Sequence, residues 1–252
     1  MPLADLPATL WRRVASTRRV VPTRCLMSRR RVVLHGIALE SARTLDAQTR
    51  RDLHRGRYQQ AKAAQLASKI EPNDSFLDVG AGLGFTALLT ASMVGASNVV
   101  AVEADPRAAM LARANFALNG RSIELLEAAV ATRDAEAQDG SVAFYPNAVF
   151  GASACSPRAG GTEAIRVPRV DLATLLAERE VTAVNLEAAG HECDIVAGVE
   201  DFRTVRVLLI TVHEQASGYE GTVALMRHLF AHRFALDFAD SRGREVVFVR
   251  MP

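Results

Sequence analysis

Apolar and polar positions divide the chain into short alternating elements. Between Arg57 and Ile70, Ala61, Ala64, Leu66 and Ala67 gather on one side with Gln and Lys opposite, which predicts an amphipathic helix. Glu71-Pro72-Asn73-Asp74 ends it, because a residue before proline avoids the helical region and Asn and Asp favour turns. From Ser75 onward the pattern predicts a strand over 75–79, a helix over 84–94, a strand over 98–103, and a helix over 106–118 with Pro106 in its first turn. A strand over 123–130 follows, then two short strands near 141–146 and 164–168, separated by a Gly/Ser-rich stretch over 151–161. Asp171 is placed to cap a helix over 171–179. Next come a strand over 181–186, a helix over 191–200, a strand over 205–212 and a helix over 221–231. Segments 234–238 and 246–250 close the chain as a hairpin around Asp240-Ser241-Arg242-Gly243. Upstream, a short basic helix is expected over 8–20 and a strand over 31–39; there is no internal repeat.

Strands alternating with helices imply an α/β fold: a doubly wound, mostly parallel sheet covered on both faces, made mixed by the C-terminal hairpin. Such sheets bind ligands at the carboxyl ends of their strands, so residues there are the functional candidates. The length of 252 residues suits one such domain with an N-terminal extension, and 49% apolar and 23% charged residues exclude a disordered or fibrous chain. Cys25, Cys155 and Cys193 are odd in number and widely spaced, which argues against a disulfide framework and for a reducing cytoplasm. No run is apolar enough to span a bilayer; Thr86 to Val102 comes nearest and is interrupted by Gly95, Ser97 and Asn98. Residues 1–31 hold eight arginines and one acid, Asp5, against a mildly acidic remainder. That arm is a solvated basic segment or a contact for nucleic acid, an anionic membrane or an acidic partner. It is Arg-rich and acid-poor like a transit peptide, but it lacks a secretory apolar core and runs directly into the strand-like Val32-Val33-Leu34.

Phe76-Leu77-Asp78-Val79-Gly80-Ala81-Gly82-Leu83-Gly84 reads as a strand, a tight turn and a helix start. Glycines there permit positive φ and close backbone approach to a ligand, while the helix start offers free N–H groups. The dinucleotide pattern would put Gly or Ala where Phe85 stands, and Asp78 would repel a pyrophosphate; both features favour S-adenosylmethionine. Glu103 ends the second strand, where a carboxylate can take both ribose hydroxyls. Each such charge-assisted hydrogen bond is worth roughly 1.5–3 kcal/mol.

Further segments carry a family likeness. Gly56-Arg57-Tyr58 precedes a helix; Ile70 to Ala81 contains the strand and turn; Val102-Glu103-Ala104-Asp105-Pro106 follows. Then come Arg113-Ala114-Asn115-Phe116-Ala117-Leu118-Asn119-Gly120, Ala128-Ala129-Val130, Gly151-Ala152-Ser153 and Val167-Pro168-Arg169-Val170-Asp171-Leu172. Over residues 54–252 the chain resembles the FkbM-type methyltransferases, leaving 1–53 as an Arg-rich extension. The resemblance implies a seven-stranded class I methyltransferase sheet of order 3-2-1-4-5-7-6 with strand 7 antiparallel. It also implies S-adenosylmethionine held by Asp78, Gly80, Gly82, Gly84, Glu103, Ala104, Ala129 and Glu187, and O-methylation of a sugar or secondary metabolite. The likeness is broken in the fourth main strand, where the family has Asp-x-Glu-Gly-Ala-Glu. This chain reads Asn185-Leu186-Glu187-Ala188-Ala189-Gly190-His191-Glu192, with Glu192 matching the second Glu if two residues are inserted. Thr211 stands where the family has an acid, or that acid is displaced to Glu214.

A hydroxyl acceptor must lose a proton, and a well-placed base contributes about 10²–10⁴ in rate. Glu187, His191 and His213, at the ends of the fourth and fifth main strands, are the catalytic candidates, with Glu192 beside them. Imidazole, with an ordinary pKa of about 6.5, suits the task. No metal is expected: His191-Glu192-Cys193-Asp194 are consecutive and cannot converge, and His228 and His232 lack a third ligand. Gly151-Ala152-Ser153-Ala154-Cys155 is not a nucleophile elbow and is expected to line the cofactor or acceptor side. Two other readings compete with a small-molecule or saccharide acceptor. One is a nucleic-acid methyltransferase using the basic arm, and the other a cofactor-binding relative without turnover. The pattern specifies no oligomeric state.

Overall fold

The computed structural model describes residues 31–42, 44–132, 140–157 and 163–252; the basic helix expected over 8–20 lies outside them. The chain enters through an antiparallel hairpin, β1 (Arg31–Leu34) and β2 (Ile37–Glu40), where one continuous strand was expected. His35 and Gly36 both take positive φ, 50° and 81°, and that pair of left-handed residues turns the chain within two positions. Helix α1 (Ala47–His54) is capped by Asp46, whose carboxylate accepts from the Gln48 and Thr49 amides.

Helix α2 (Gln60–Lys69) buries Lys62, Ala63, Gln65 and Leu66; of the stripe expected, Leu66 is buried, Ala61 and Ala67 are half-buried and Ala64 is exposed. Polar side chains occupy the buried face because each meets a partner across it. Lys62 pairs with Glu245 at 2.9 Å, and the Gln65 amide donates to the carbonyls of Asp240 and Glu245.

The main sheet has seven strands. Strands β3 (Phe76–Val79), β4 (Val99–Val102) and β5 (Glu124–Leu126) form one half. Strands β9 (Ala183–Leu186), β10 (Val207–Thr211), β11 (Phe234–Leu236) and β12 (Glu245–Arg250) form the other. Their spatial order is β5-β4-β3-β9-β10-β12-β11, which is the expected 3-2-1-4-5-7-6. β12 runs antiparallel to both neighbours.

Side chains alternate across this sheet. Phe76, Ala101, Ala183, Val207, Leu209 and Val247 face one core, shared with α2, α3 (Phe85–Val94) and α4 (Pro106–Leu118). Leu77, Val79, Val184, Leu186, Leu208 and Ile210 face the other, shared with α5 (Leu172–Arg179), α6 (Glu192–Ala197) and α7 (Glu214–Ala231). Val32, Leu34, Ile37, Leu39, Leu45 and Leu53 belong to the first core, so the segment before residue 54 packs on the sheet's helices. α7 starts earlier than expected and kinks at Gly218, whose φ is +71°.

The expected strand over 123–130 is two strands in different sheets. β5 pairs with β4, whereas β6 (Ala129–Val130) joins a three-stranded sheet with β7 (Ser141–Phe144) and β8 (Ile165–Val170). The backbone of Glu103 carries the β4–β5 ladder on to the break, donating to the Leu126 carbonyl (3.0 Å) and accepting from the Ala128 amide (3.1 Å).

Candidate active site

The carboxyl ends of β3, β4 and β9 open onto a cleft of about 170 Å³. Its floor is the glycine turn. Gly80 (φ +79°) leaves β3 so close to β9 that a Cβ there would lie 1.9 Å from the Glu187 carbonyl oxygen. At Gly84 (φ +74°), a Cβ would lie 2.4 Å from the ring of Phe116 on α4. Glycine is thus required at both positions by conformation and by space.

Glu103 sits at the end of β4, 9% exposed, on the cleft wall. Its Oε2 accepts from the Gly82 amide (2.8 Å) and its Oε1 from the Asp105 amide (2.7 Å). Burial pushes its carboxyl up to about 7, an effect these backbone N–H groups oppose. One acid therefore fixes the turn and presents its remaining lone pairs to the cleft.

Of the residues singled out from sequence, Gly80, Gly82, Glu103, Ala104, Ala129, Glu187 and His191 line the cleft. Asp78, Gly84 and His213 do not. Asp78 is fully buried behind the turn, where its carboxylate accepts from the Thr86 hydroxyl and from the Asn185 amide (2.7 Å). Burial raises its pKa, opposed by those two donors. Asn185, which departs from the family pattern, thus serves as the partner of Asp78. His213, at the start of α7, bonds Glu192 through Nδ1 at 2.8 Å. The Glu192 side chain is 0% exposed and also accepts from the Ala188 amide (2.8 Å) and the Gly190 amide (3.0 Å). Burial works against its ionisation, but His213 and the backbone donors prevail and hold its pKa low. Glu192 is therefore the clamp of the loop 188–190, in which Ala189 and Gly190 both have positive φ.

Several cleft residues escaped sequence reasoning. Tyr58 and Gln59 arrive from the start of α2; the Gln59 amide donates to Glu187 Oε2 at 3.1 Å. Tyr58 packs edge-on against Phe85, and burial, reinforced by the carboxylates of Glu187, Asp78 and Glu103, raises its phenol pKa. Phe150, whose amide donates to Asp46, forms part of the wall, as do Gly151, Ser153, Ala154 and Cys155 of the expected lining segment. Ser153 is held by Asp105, to which its hydroxyl donates at 2.9 Å. Asp105 in turn receives two bonds from the Arg107 guanidinium. Burial pushes the Cys155 thiol up to about 11, so it stays protonated at neutral pH. Gly56-Arg57-Tyr58 offered a signal for Tyr58; nothing marked Gln59 or Phe150, whose roles arise from long-range packing.

His191 Nε2 lies 3.2 Å from the Ser156 hydroxyl at the cleft edge. His228 and His232 bond the carbonyls of Val199 and Glu200, away from the cleft. Among the described residues no three His, Cys, Asp or Glu side chains gather as metal ligands, and no helix is long and apolar enough to cross a membrane.

No curated protein matches the chain. Among solved structures, it is similar to the ribosomal protein L11 methylase of Lactobacillus delbrueckii subsp. bulgaricus at 15% identity and a TM-score of 0.44, covering 78% of this chain and 80% of that one. It is similar to Trm1 of Pyrococcus horikoshii, solved with S-adenosyl-L-methionine, at 13% identity and 0.48, covering 87% and 61%. It is also similar to M. jannaschii TYW2, solved with AdoMet, at 15% identity and 0.44, covering 88% and 86%. Residues 62–143, about a third of the chain, match the family profile described as Ribosomal protein L11 methyltransferase (PrmA). That stretch runs from α2 through the glycine turn and Glu103 to β7, and contains Gly80, Gly82, Glu103, Ala104 and Ala129 of the cleft lining.

Proposed function

We propose that this protein is an S-adenosylmethionine-dependent methyltransferase that O-methylates a hydroxyl of a saccharide or secondary metabolite. The observation that carries the cofactor is Glu103: a buried carboxylate at the end of the strand beside the glycine turn, bonded to the turn's Gly82 amide and facing the cleft. Its free lone pairs suit two ribose hydroxyls, and the small side chains of Ala104, Ala108 and Ala129 with Phe150 suit a flat apolar base. Bound S-adenosylmethionine supplies a sulfonium-activated methyl group. The chain's own part is to hold donor and acceptor in line, which contributes up to about 7–11 kcal/mol, and to receive the proton of the hydroxyl. Glu187 and His191 are on the cleft wall and take that proton. Asp78, Gly84 and His213 act from behind it, through Asn185 and Thr86, through Phe116, and through Glu192 respectively. Residues 54–252 form the methyltransferase domain in this reading, and 1–53 are an extension whose described part packs on it.

The resemblance to FkbM-type methyltransferases supports the hydroxyl acceptor. A second reading, with nucleic acid as acceptor, is favoured by the eight arginines among residues 1–31.

Thermal unfolding with and without S-adenosylhomocysteine tests the cofactor. Ligand at about 100 times its dissociation constant stabilises by about 2.7 kcal/mol, a shift of several degrees at this size. A shift in the parent that Glu103→Ala abolishes is the expected result; no shift at millimolar ligand would overturn the reading. Labelled methyl transfer from S-adenosylmethionine into separate saccharide, metabolite and RNA fractions then decides the acceptor. Binding without transfer to any fraction would leave a cofactor-binding protein without turnover.

A further inference from the structure

Among the described residues no strand pairs with the outer edge of β2. In the two-residue hairpin, Leu34 and Ile37 flank the turn, so the Ala38 and Glu40 backbone groups point away from β1. The Ala38 N–H and C=O and the Glu40 N–H find partners in two asparagines one turn apart, Asn115 on α4 and Asn119 at its C-cap. Asn119 accepts from the Ala38 amide (2.9 Å) and donates to its carbonyl (2.8 Å). Asn115, 0% exposed, accepts from the Glu40 amide at 2.8 Å.

The two asparagines differ in what else they reach. The Asn115 Nδ2 donates to the Leu83 carbonyl at 2.8 Å, inside the glycine turn. The Leu83 carbonyl belongs to the peptide that leads into Gly84 and opens α3, and the next residue of α4, Phe116, is the one packed against Gly84. The turn is thus held on one side by Glu103 at the Gly82 amide and on the other by Asn115 at the Leu83 carbonyl. The second Asn119 Nδ2 contact goes to the Asn115 carbonyl, not to the turn.

We propose that Asn115 is a positioning residue for cofactor binding that couples the N-terminal hairpin to the glycine turn through one buried carboxamide. The inference rests on the reading that the cleft holds S-adenosylmethionine. Its oxygen is fixed by the hairpin and its nitrogen fixes the turn, so each end constrains the other. Coupling of this kind is reciprocal: ligand in the cleft steadies the Glu40 amide, and loss of the Glu40 amide loosens the turn.

The test compares Glu40→Pro with Ala38→Pro. Each removes one outward-facing N–H from the same strand edge, so the local damage is matched. Glu40→Pro deprives the carboxamide that reaches the turn; Ala38→Pro deprives the one that does not. S-adenosylhomocysteine affinity is measured by calorimetry beside the melting temperature of each ligand-free variant. Glu40→Pro is expected to weaken binding fivefold or more, Ala38→Pro less than twofold, with similar losses in melting temperature. Equal affinities in the two variants overturn the coupling while leaving the function intact. Failure of the parent to bind overturns the functional reading itself. Should either variant fail to fold, hydrogen exchange on the parent gives the answer: saturating S-adenosylhomocysteine slows the Glu40 amide more than the Ala38 amide, and equal slowing overturns the coupling.

Discussion

Glu103 offers a prediction that ties stability to pH. Its carboxyl is ordinary at 4.5 in the unfolded chain and is pushed up to about 7 by burial in the fold. The folded protein therefore holds this proton where the unfolded chain has lost it, so stability falls as pH rises from about 4.5 to about 7. That gap corresponds to about 3 kcal/mol, fully present below the unfolded value and gone above the folded one. Asp78, also raised by burial, adds to the same trend, whereas Asp46, Asp105 and Glu192 are lowered and act on the acid side of it. Comparison with Glu103→Gln isolates the one group. The amide keeps an oxygen for one of the two backbone donors and loses the other, a cost of about 1–3 kcal/mol that does not vary with pH. Urea unfolding at half-unit steps from pH 5 to 8.5 should show the parent losing stability relative to the variant by up to about 3 kcal/mol. S-adenosylhomocysteine, which needs the carboxylate, should bind the parent more tightly as pH rises to about 7 and then level off. Parallel stability curves for parent and variant would refute the argument.

Three further outcomes are expected. Gly80→Ala, with a Cβ 1.9 Å from the Glu187 carbonyl, should abolish S-adenosylhomocysteine binding and lower the melting temperature far more than Gly151→Ala; Gly151 has a similar φ, +77°, but nothing within 4 Å, so its cost is about 1–2 kcal/mol. His213→Ala should cost about 1.5–3 kcal/mol by removing a donor from buried Glu192; because that acid's lowered pKa contributes stability that is lost as pH falls, acid unfolding should move to higher pH. Lys62→Met strands Glu245 and should destabilise by about 3–5 kcal/mol in denaturant titration, with Lys62→Met/Glu245→Gln recovering much of the loss.

The sequence made the cofactor side of the protein legible because that side is built from local signals. Gly80, Gly82, Gly84 and Glu103 are marked by strand ends and turn chemistry, and the mostly apolar runs of β3, β9 and β10 mark out the order of elements. Pattern reading failed where a distant partner overrides periodicity. Lys62 and Gln65 are buried because β12 and its preceding turn supply acceptors far along the chain. Residues 123–130 look continuous, yet the chain leaves the main sheet after Ala128, its last bond to the Glu103 backbone, and Ala129 and Val130 pair with β8 instead. Asp78 reads as a cofactor ligand, and only the packing of neighbouring elements reveals that it lies behind the cleft lining with Asn185 and Thr86 as its partners. His213 reads as a base at the end of a strand, and only the fold shows that it bonds buried Glu192 and stands outside the cleft lining.

That division at Ala128 has an evolutionary corollary. Leu126 and Ala128 hold the Glu103 backbone from either side, so the acid is anchored before the chain departs into the smaller sheet. The segments joining β7 and β8, which carry Phe150, Ser153 and Cys155 on the cleft wall, are added after that anchor. Changes in length there can reshape the cleft rim while the registers that fix Glu103 and the glycine turn stay as they are. The fold thereby separates the strand registers that hold the glycine turn from a cleft rim carried by a segment outside the main sheet.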